Sequence, residues 1–164
     1  MVPGKDKITV AILTVSTSRS NRDIPDGSGQ VLFDDCRANG MEVVDRRIVA
    51  DDRKKISRLL KYFSDVVKTD LVLTTGGTGL GPLDVTPEAT HDVIEKIIPG
   101  ISEHIRIQGL KKTKMSVLSR GISGIRKNTL IINLPGSPAG AAESLKAIIG
   151  IVPHALLMMK GGGH

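Results

Sequence analysis

Cysteine, aromatic side chains and long apolar runs are all scarce in this chain. Cys36 is the lone cysteine, so no disulfide can form within the sequence and no framework of bridges holds it together. Tryptophan is absent, and the aromatic set is Phe33, Tyr62 and Phe63. Stacking platforms for single-stranded nucleic acid are therefore nearly missing, although a net charge of +6 and a pI of about 9.6 would otherwise invite such a partner. A small polyanionic ligand is the better reading of that charge. No apolar run approaches the roughly 20 residues needed to span a bilayer. Residues 1–7 also lack the apolar stretch of a secretory signal. The expectation is a soluble protein in a reducing cytoplasm, with neither membrane nor nucleic acid as partner. His91, His104, His154 and His164 share no metal-ligand spacing with one another or with Cys36, which argues against zinc. No Ser/His/Asp order stands out, so a covalent nucleophile is disfavoured.

What is present is a regular alternation of strand and helix patterns. The length, 164 residues, predicts one domain (1–164), enough to bury about 70% of the surface its unfolded chain exposes. Residues 8–15 form a nearly unbroken β-branched and apolar run, the pattern of a central parallel strand. A polar loop (16–27) and a helix over 28–39 follow, ended by Gly40, and a second strand covers 42–49. Between 52 and 68, Ile56, Leu59, Leu60, Phe63, Val66 and Val67 fall on one helical face. Strand 71–75 precedes a loop and a helix with Thr86 as N-cap, Pro87 at the first position and Val93, Ile94, Ile97 and Ile98 on its buried face. Further helices are expected over 101–110, 139–149 and 153–160, a strand over 129–133 and a frayed tail over 161–164. This order predicts a single-domain α/β fold, a three-layer α/β/α sandwich around a mostly parallel sheet. Ligands in such sheets bind beyond the carboxyl ends of the strands, so residues 16–29, 49–52, 74–84 and 133–138 should converge on one cleft.

Two of those segments carry chemistry. Strand 71–75 runs into Gly76-Gly77-Thr78-Gly79, followed by Asp84 and Thr86-Pro87-Glu88-Ala89. Glycines let backbone N–H groups approach an anion, and the following helix start adds positive potential. The loop has neither the dinucleotide fingerprint nor the Walker ending, and by itself it could be a tight turn. Asp84 beside a phosphate cradle is unfavourable unless a cation lies between them, which brings in magnesium. Asp51 and Asp52 follow the second strand; either could cap the next helix, or one of them, together with a carboxylate from a separate strand end, could hold a hydrated magnesium ion with phosphate oxygens. In Leu134-Pro135-Gly136-Ser137-Pro138, the Gly136 and Ser137 amides could bind an anion and Asn133 a neighbouring polar group, or the segment is a rigid connection. Ser119, Arg120, Arg126 and Lys127 surround Gly121 and Gly124, either as contacts to an acidic ligand or as solvated surface.

Residues 73–89 and 118–138, in that order, resemble the molybdopterin adenylyltransferase family, the MogA/MoaB-type proteins of molybdenum cofactor biosynthesis related to the G domain of gephyrin. The resemblance runs from residue 8 to about 160. It implies an α/β sandwich that assembles as a homo-oligomer, trimer or hexamer, and magnesium-dependent transfer of AMP from ATP to molybdopterin. It also implies that Asp51 and Asp84 are the catalytic, metal-binding acids and that Gly76, Gly77, Thr78 and Gly79 form the phosphate loop. By the same resemblance Asp26, Ser28 and Gly29 lie near the nucleotide, and Asn133, Pro135 and Gly136 form the second ligand-binding turn; Ser119 and Ser137 join the candidate binding residues from their places beside these loops. Leu83 stands where many members have arginine, Ala50 where proline is common, and Gly109 where some eukaryotic members have serine. A non-catalytic molybdopterin- or nucleotide-binding protein of the same pathway is the rival reading.

Overall fold

The computed structural model describes residues 7–21 and 24–162; positions 22 and 23 of the expected polar loop and 163 and 164 of the expected tail lie outside them. Six strands form one sheet: β1 (Thr9–Val15), β2 (Glu42–Val49), β3 (Leu71–Thr75), β4 (Lys96–Ile97), β5 (Ser123–Arg126) and β6 (Thr129–Leu134). Their order is β2-β1-β3-β6-β5-β4, with the first four parallel and β5 antiparallel to both its neighbours. Helices α1 (Thr17–Asn21), α2 (Gly27–Ala38), α3 (Arg53–Lys61), α4 (Thr86–His91), α5 (Pro99–Leu110), α6 (Pro138–Ile148) and α7 (Val152–Met159) complete the described fold.

Alternation along the buried strands sorts the core into two layers. Val10, Ile12, Leu71, Leu73, Leu130 and Ile132 pack with Leu32, Ile105 and Leu145 on the face covered by α2, α5, α6 and α7. Ala11, Leu13, Val72 and Ile131 meet Ile56, Leu60, Phe63 and Ala89 on the other. The expected three-layer α/β sandwich is what forms. Among the described residues, no single helix is long and apolar enough to cross a membrane.

Three local expectations change. The helix begun at α3 widens into a π-helical turn over Tyr62–Val67, so Phe63 is buried while Val66 is 67% exposed instead of sharing its face. Helix α4 stops at His91, well short of Pro99, because the next backbone groups pair sideways with β5: Glu95 N–H donates to Ile125 O and Ile98 N–H to Ser123 O. Ile97 is consequently exposed on an edge strand. Thr86 is not an N-cap; it is the first residue of α4, and its buried hydroxyl donates to Gly76 O instead.

Candidate functional site

Chain crossovers leave β1 in opposite directions, to β2 on one side and past it to β3 on the other, so a crevice opens at the carboxyl ends of β1 and β3. The glycine loop enters this crevice directly from β3. Gly76 and Gly77 have φ values of +97° and +67°, and a Cβ on Gly76 would lie 2.3 Å from Val15 O. Only glycine fits there.

The loop is polarised by its own hydrogen bonds. All four carbonyls accept from the protein: Gly76 O from Thr86 Oγ1 (2.9 Å), Gly77 O from Thr86 N–H (3.1 Å), Thr78 O from Arg120 N–H (2.9 Å) and Gly79 O from Arg120 Nε (2.8 Å). Among the described residues, the N–H groups of Gly77, Thr78 and Gly79 donate to no protein acceptor. With every carbonyl turned inward, the free face of the loop is made of donors, as an anion cradle requires.

Asp51 and Asp84 sit on loops that border this crevice. Asp51 accepts from Thr17 N–H (2.8 Å) and Thr17 Oγ1 (2.7 Å) through Oδ2, leaving Oδ1. The helix-capping role belongs to Asp52, whose Oδ1 accepts from Lys55 N–H at 2.9 Å. That contact holds the Asp52 carboxyl below its usual range. Asp84 Oδ2 accepts from Gly81 N–H at 2.8 Å, again leaving Oδ1. No cluster of three or more His, Cys, Asp or Glu side chains able to hold a metal occurs among the described residues. Two half-free carboxylates suit magnesium brought in with a nucleotide, an ion that completes its shell with phosphate oxygens and water.

Several other predicted residues reach this end of the sheet as braces. Asp26 caps α2 through Gly29 N–H (3.0 Å), accepts from Thr14 Oγ1 (2.8 Å) and pairs with Arg46 (3.1 Å). Asn133 is held internally: both Nδ2 hydrogens are used, on the Thr74 and Thr90 hydroxyls, and its Oδ1 accepts from Ile122 N–H, which makes it a brace for the β6 end. Pro135 O accepts from Thr75 Oγ1, and a Cβ on Gly136 would lie 3.1 Å from Gly76 Cα, which locks the second turn against the glycine loop. Ser137 Oγ caps α6 by accepting from Gly140 N–H. The Ser28 hydroxyl, in the first turn of α2, is buried and alone among the described buried side-chain polar atoms in lacking a partner.

Ser119, Pro135 and Ser137 line a cavity of about 610 Å³ between α5, α6 and the 3-10 turn Lys114–Leu118. Lys111, Lys112 and Lys146 stand around it, a cationic setting that composition alone did not locate. Gly109, also on its wall, faces Ser116 so closely that a Cβ would lie 2.1 Å from Ser116 Oγ. A serine at 109 would not fit this packing.

The three basic residues expected near an acidic ligand, Arg120, Arg126 and Lys127, take structural duties, Lys127 pairing with Asp65 at 3.3 Å. Arg126 forks onto Asp65 (2.6 and 3.0 Å) and donates to Val93 O. Arg120 spans the glycine loop and Glu88, and its guanidinium holds the Glu88 carboxyl below the usual carboxylate range. Sequence reasoning missed Thr17, whose only signal was its place just past a strand, and gave Thr86 a capping role instead of its hold on the glycine loop.

A donor-lined loop at the switch point of the sheet, two acids on bordering loops and an adjoining cationic cavity form a concave site at the carboxyl ends of the strands of an α/β protein. The chain matches the family described as "Probable molybdopterin binding domain" over residues 11–154 and belongs to it. It is 38% identical over 157 residues to the molybdopterin adenylyltransferase of Helicobacter pylori (strain 26695), covering 94% of this chain and 89% of that protein. It is also 38% identical to the Drosophila melanogaster molybdenum cofactor synthesis protein cinnamon, covering 92% of this chain but 25% of that protein's length. Among solved structures, the molybdopterin biosynthesis enzyme MoaB of Thermus thermophilus superposes with a TM-score of 0.88 at 42% identity, covering 94% of this chain and 97% of that one.

Proposed function

We propose that this protein is a molybdopterin adenylyltransferase, transferring AMP from ATP to the terminal phosphate of molybdopterin with release of pyrophosphate. The observation that carries the reading is the polarised loop, its carbonyls bound inward and its Gly77–Gly79 amides left for phosphate oxygens. An oxygen of the molybdopterin phosphate attacks the α-phosphorus of ATP, forming an O–P bond as the bond to the pyrophosphate oxygen breaks. That nucleophile is already ionised, so no protein base is needed and positioning supplies the acceleration. Loop amides and the Thr78 hydroxyl orient the nucleotide phosphates. The cavity bearing Ser119 and its lysines suits the anionic acceptor. Asp51 and Asp84 would hold magnesium, which would supply charge neutralisation at the phosphates.

Residues Asp51, Asp84, Asp26, Ser28, Gly29, Gly76, Gly77, Thr78, Gly79, Ser119, Asn133, Pro135, Gly136 and Ser137 make up the proposed site, with Asp26 and Asn133 acting as braces. The reading includes a homo-oligomer, trimer or hexamer, supported by exposed Leu80, Leu83, Met115, Val117 and Leu118. It also includes a reducing, cytoplasmic setting, supported by the free thiol of Cys36. Incubation with ATP, magnesium and molybdopterin should yield adenylylated molybdopterin and pyrophosphate. Asp84→Asn should lower that rate about 100-fold or more while leaving the circular dichroism unchanged. Full activity in the variant would overturn the assignment of Asp84; no product from the native protein would overturn the function.

A further inference from the structure

Arg120 makes more contacts to the glycine loop than any charge-neutralising role requires. Its backbone N–H donates to Thr78 O (2.9 Å), its Nε to Gly79 O (2.8 Å) and its Nη2 to Asp84 O (2.6 Å). Its Nη1 meets Glu88, in the helix that follows the loop. One residue therefore grips the loop before its tip, after its tip and at the helix it leads into. The tip itself, Leu80 to Leu83, is exposed and carries no charge that could perform this task.

The segment bearing Arg120 is fixed from the opposite side. Arg106 Nη1 donates to Ser119 O (3.3 Å) and Gly121 O (3.0 Å), the carbonyls on either side of Arg120, and Arg106 O in turn accepts from Ser116 Oγ. Arg106 and Ser119 both line the cationic cavity. Residues 119–121 thus form a short bar, with one end in the cavity wall and its middle side chain in the glycine loop.

We propose that Arg120 is a positioning residue for AMP transfer: it turns the Thr78 and Gly79 carbonyls away from the crevice and fixes the backbone of Asp84, so that loop amides and the acid face the reacting phosphates together. This rests on the adenylyltransferase reading of the site. The guanidinium does this work at two carbonyls, Gly79 O and Asp84 O, and at the Glu88 carboxylate, three separated points that its planar fork spans and an ammonium cannot, while the Arg120 backbone N–H holds Thr78 O. Arg120 touches no substrate in this role. Its loss leaves each loop amide present but wrongly aimed, and a misplacement of about 1 Å can cost about 100-fold in rate.

The test compares native protein with Arg120→Ala, Arg120→Lys and Glu88→Gln in AMP transfer, with kcat and KM resolved for each substrate. Expected are a kcat lowered at least tenfold in both Arg120 variants, a KM for molybdopterin changed less than threefold, a smaller kcat loss in Glu88→Gln, and partial recovery of Arg120→Ala on adding methylguanidinium. Hydrogen exchange of residues 78–85 should be faster in Arg120→Ala while the exchange of β1 and β6 stays native. Native kcat in Arg120→Ala overturns the proposal, as does a kcat loss that Arg120→Lys restores in full, since charge alone would then suffice. An unfolded Arg120→Ala, seen as loss of protection in β1 and β6, together with native kcat in Glu88→Gln and Arg120→Lys, also overturns it. A native protein that forms no adenylylated product overturns the adenylyltransferase reading first, and this role with it.

Discussion

Thr17 and Asp51 hold each other in a closed pair. The threonine N–H and hydroxyl both donate to Asp51 Oδ2, and the Asp51 N–H donates back to Thr17 Oγ1 at 3.0 Å. The end of β1 and the end of β2 are joined by this exchange, and it fixes which carboxylate oxygen of Asp51 is free. Thr17→Val removes the hydroxyl while nearly keeping the shape. It should lower stability by about 1.5–3 kcal/mol in urea unfolding, the usual worth of a hydrogen bond to a charged group. AMP transfer should fall about tenfold through kcat. A native rate would show that Asp51 needs no anchor.

Gly77→Ala strains the loop by two routes. The residue sits at φ +67°, and the new methyl would lie 2.2 Å from Thr86 Oγ1, the hydroxyl that holds Gly76 O. A loss of about 1–3 kcal/mol is expected, visible as a lowered melting temperature. ATP binding measured by calorimetry should weaken as well. Unchanged melting and affinity would mean that the loop adopts other shapes at no cost.

Acid should loosen the loop before it unfolds the sheet. Arg120 depresses the Glu88 carboxyl, so their pairing contributes stability that is complete above the unfolded value of about 4.3 and is lost as pH falls through the lower folded value. Both side chains are more than a third exposed, so solvent screens the pair and its global effect is small. Asp65 and Asp92 are held low by Arg126 and Arg53 and add to overall acid sensitivity in the same direction. The specific readout is protection of residues 78–85 relative to the intrinsic exchange rate, which should fall in the native chain below about pH 4.3. In Glu88→Gln that dependence should vanish.

Cys36 should be inert in the folded protein. Burial, with a smaller push from Asp35, raises its thiol to about 12, and the side chain is fully enclosed in the core. A disulfide reagent at pH 8 should label it only at the rate of unfolding, and at once in denaturant. Rapid labelling without denaturant would contradict this packing.

Periodicity made β1, β3 and β6 legible, because a strand covered on both faces has to be apolar at nearly every position, whereas β2, at the sheet edge, carries charged and exposed residues. The same logic failed after His91. Val93 and Ile94 do turn inward, but Ile97 faces outward, and apolar spacing cannot reveal that the backbone beyond the helix is claimed by β5, some 30 residues later. At the site, the residue types of the glycine loop and of Asp51 and Asp84 were readable from their places beside strand ends. What spacing could not show was which polar groups were already taken. Asn133 reads as a ligand contact in sequence and is an internal brace in the fold, whereas Arg120 reads as one cation among several and proves to be the loop's main tether.

The register of the central sheet also governs when the crevice can exist during folding. β3 pairs Leu71 with Leu130 and Thr75 with Leu134, while β1, from the start of the chain, lies on its other side. Closing such distant pairs carries a large loop-closure entropy, repaid only once the strands between them dock. A nascent chain cannot build the crevice until β6 and the turn after it have left the ribosome. A fragment ending before Leu134 should therefore retain helical signal without any measurable phosphate affinity.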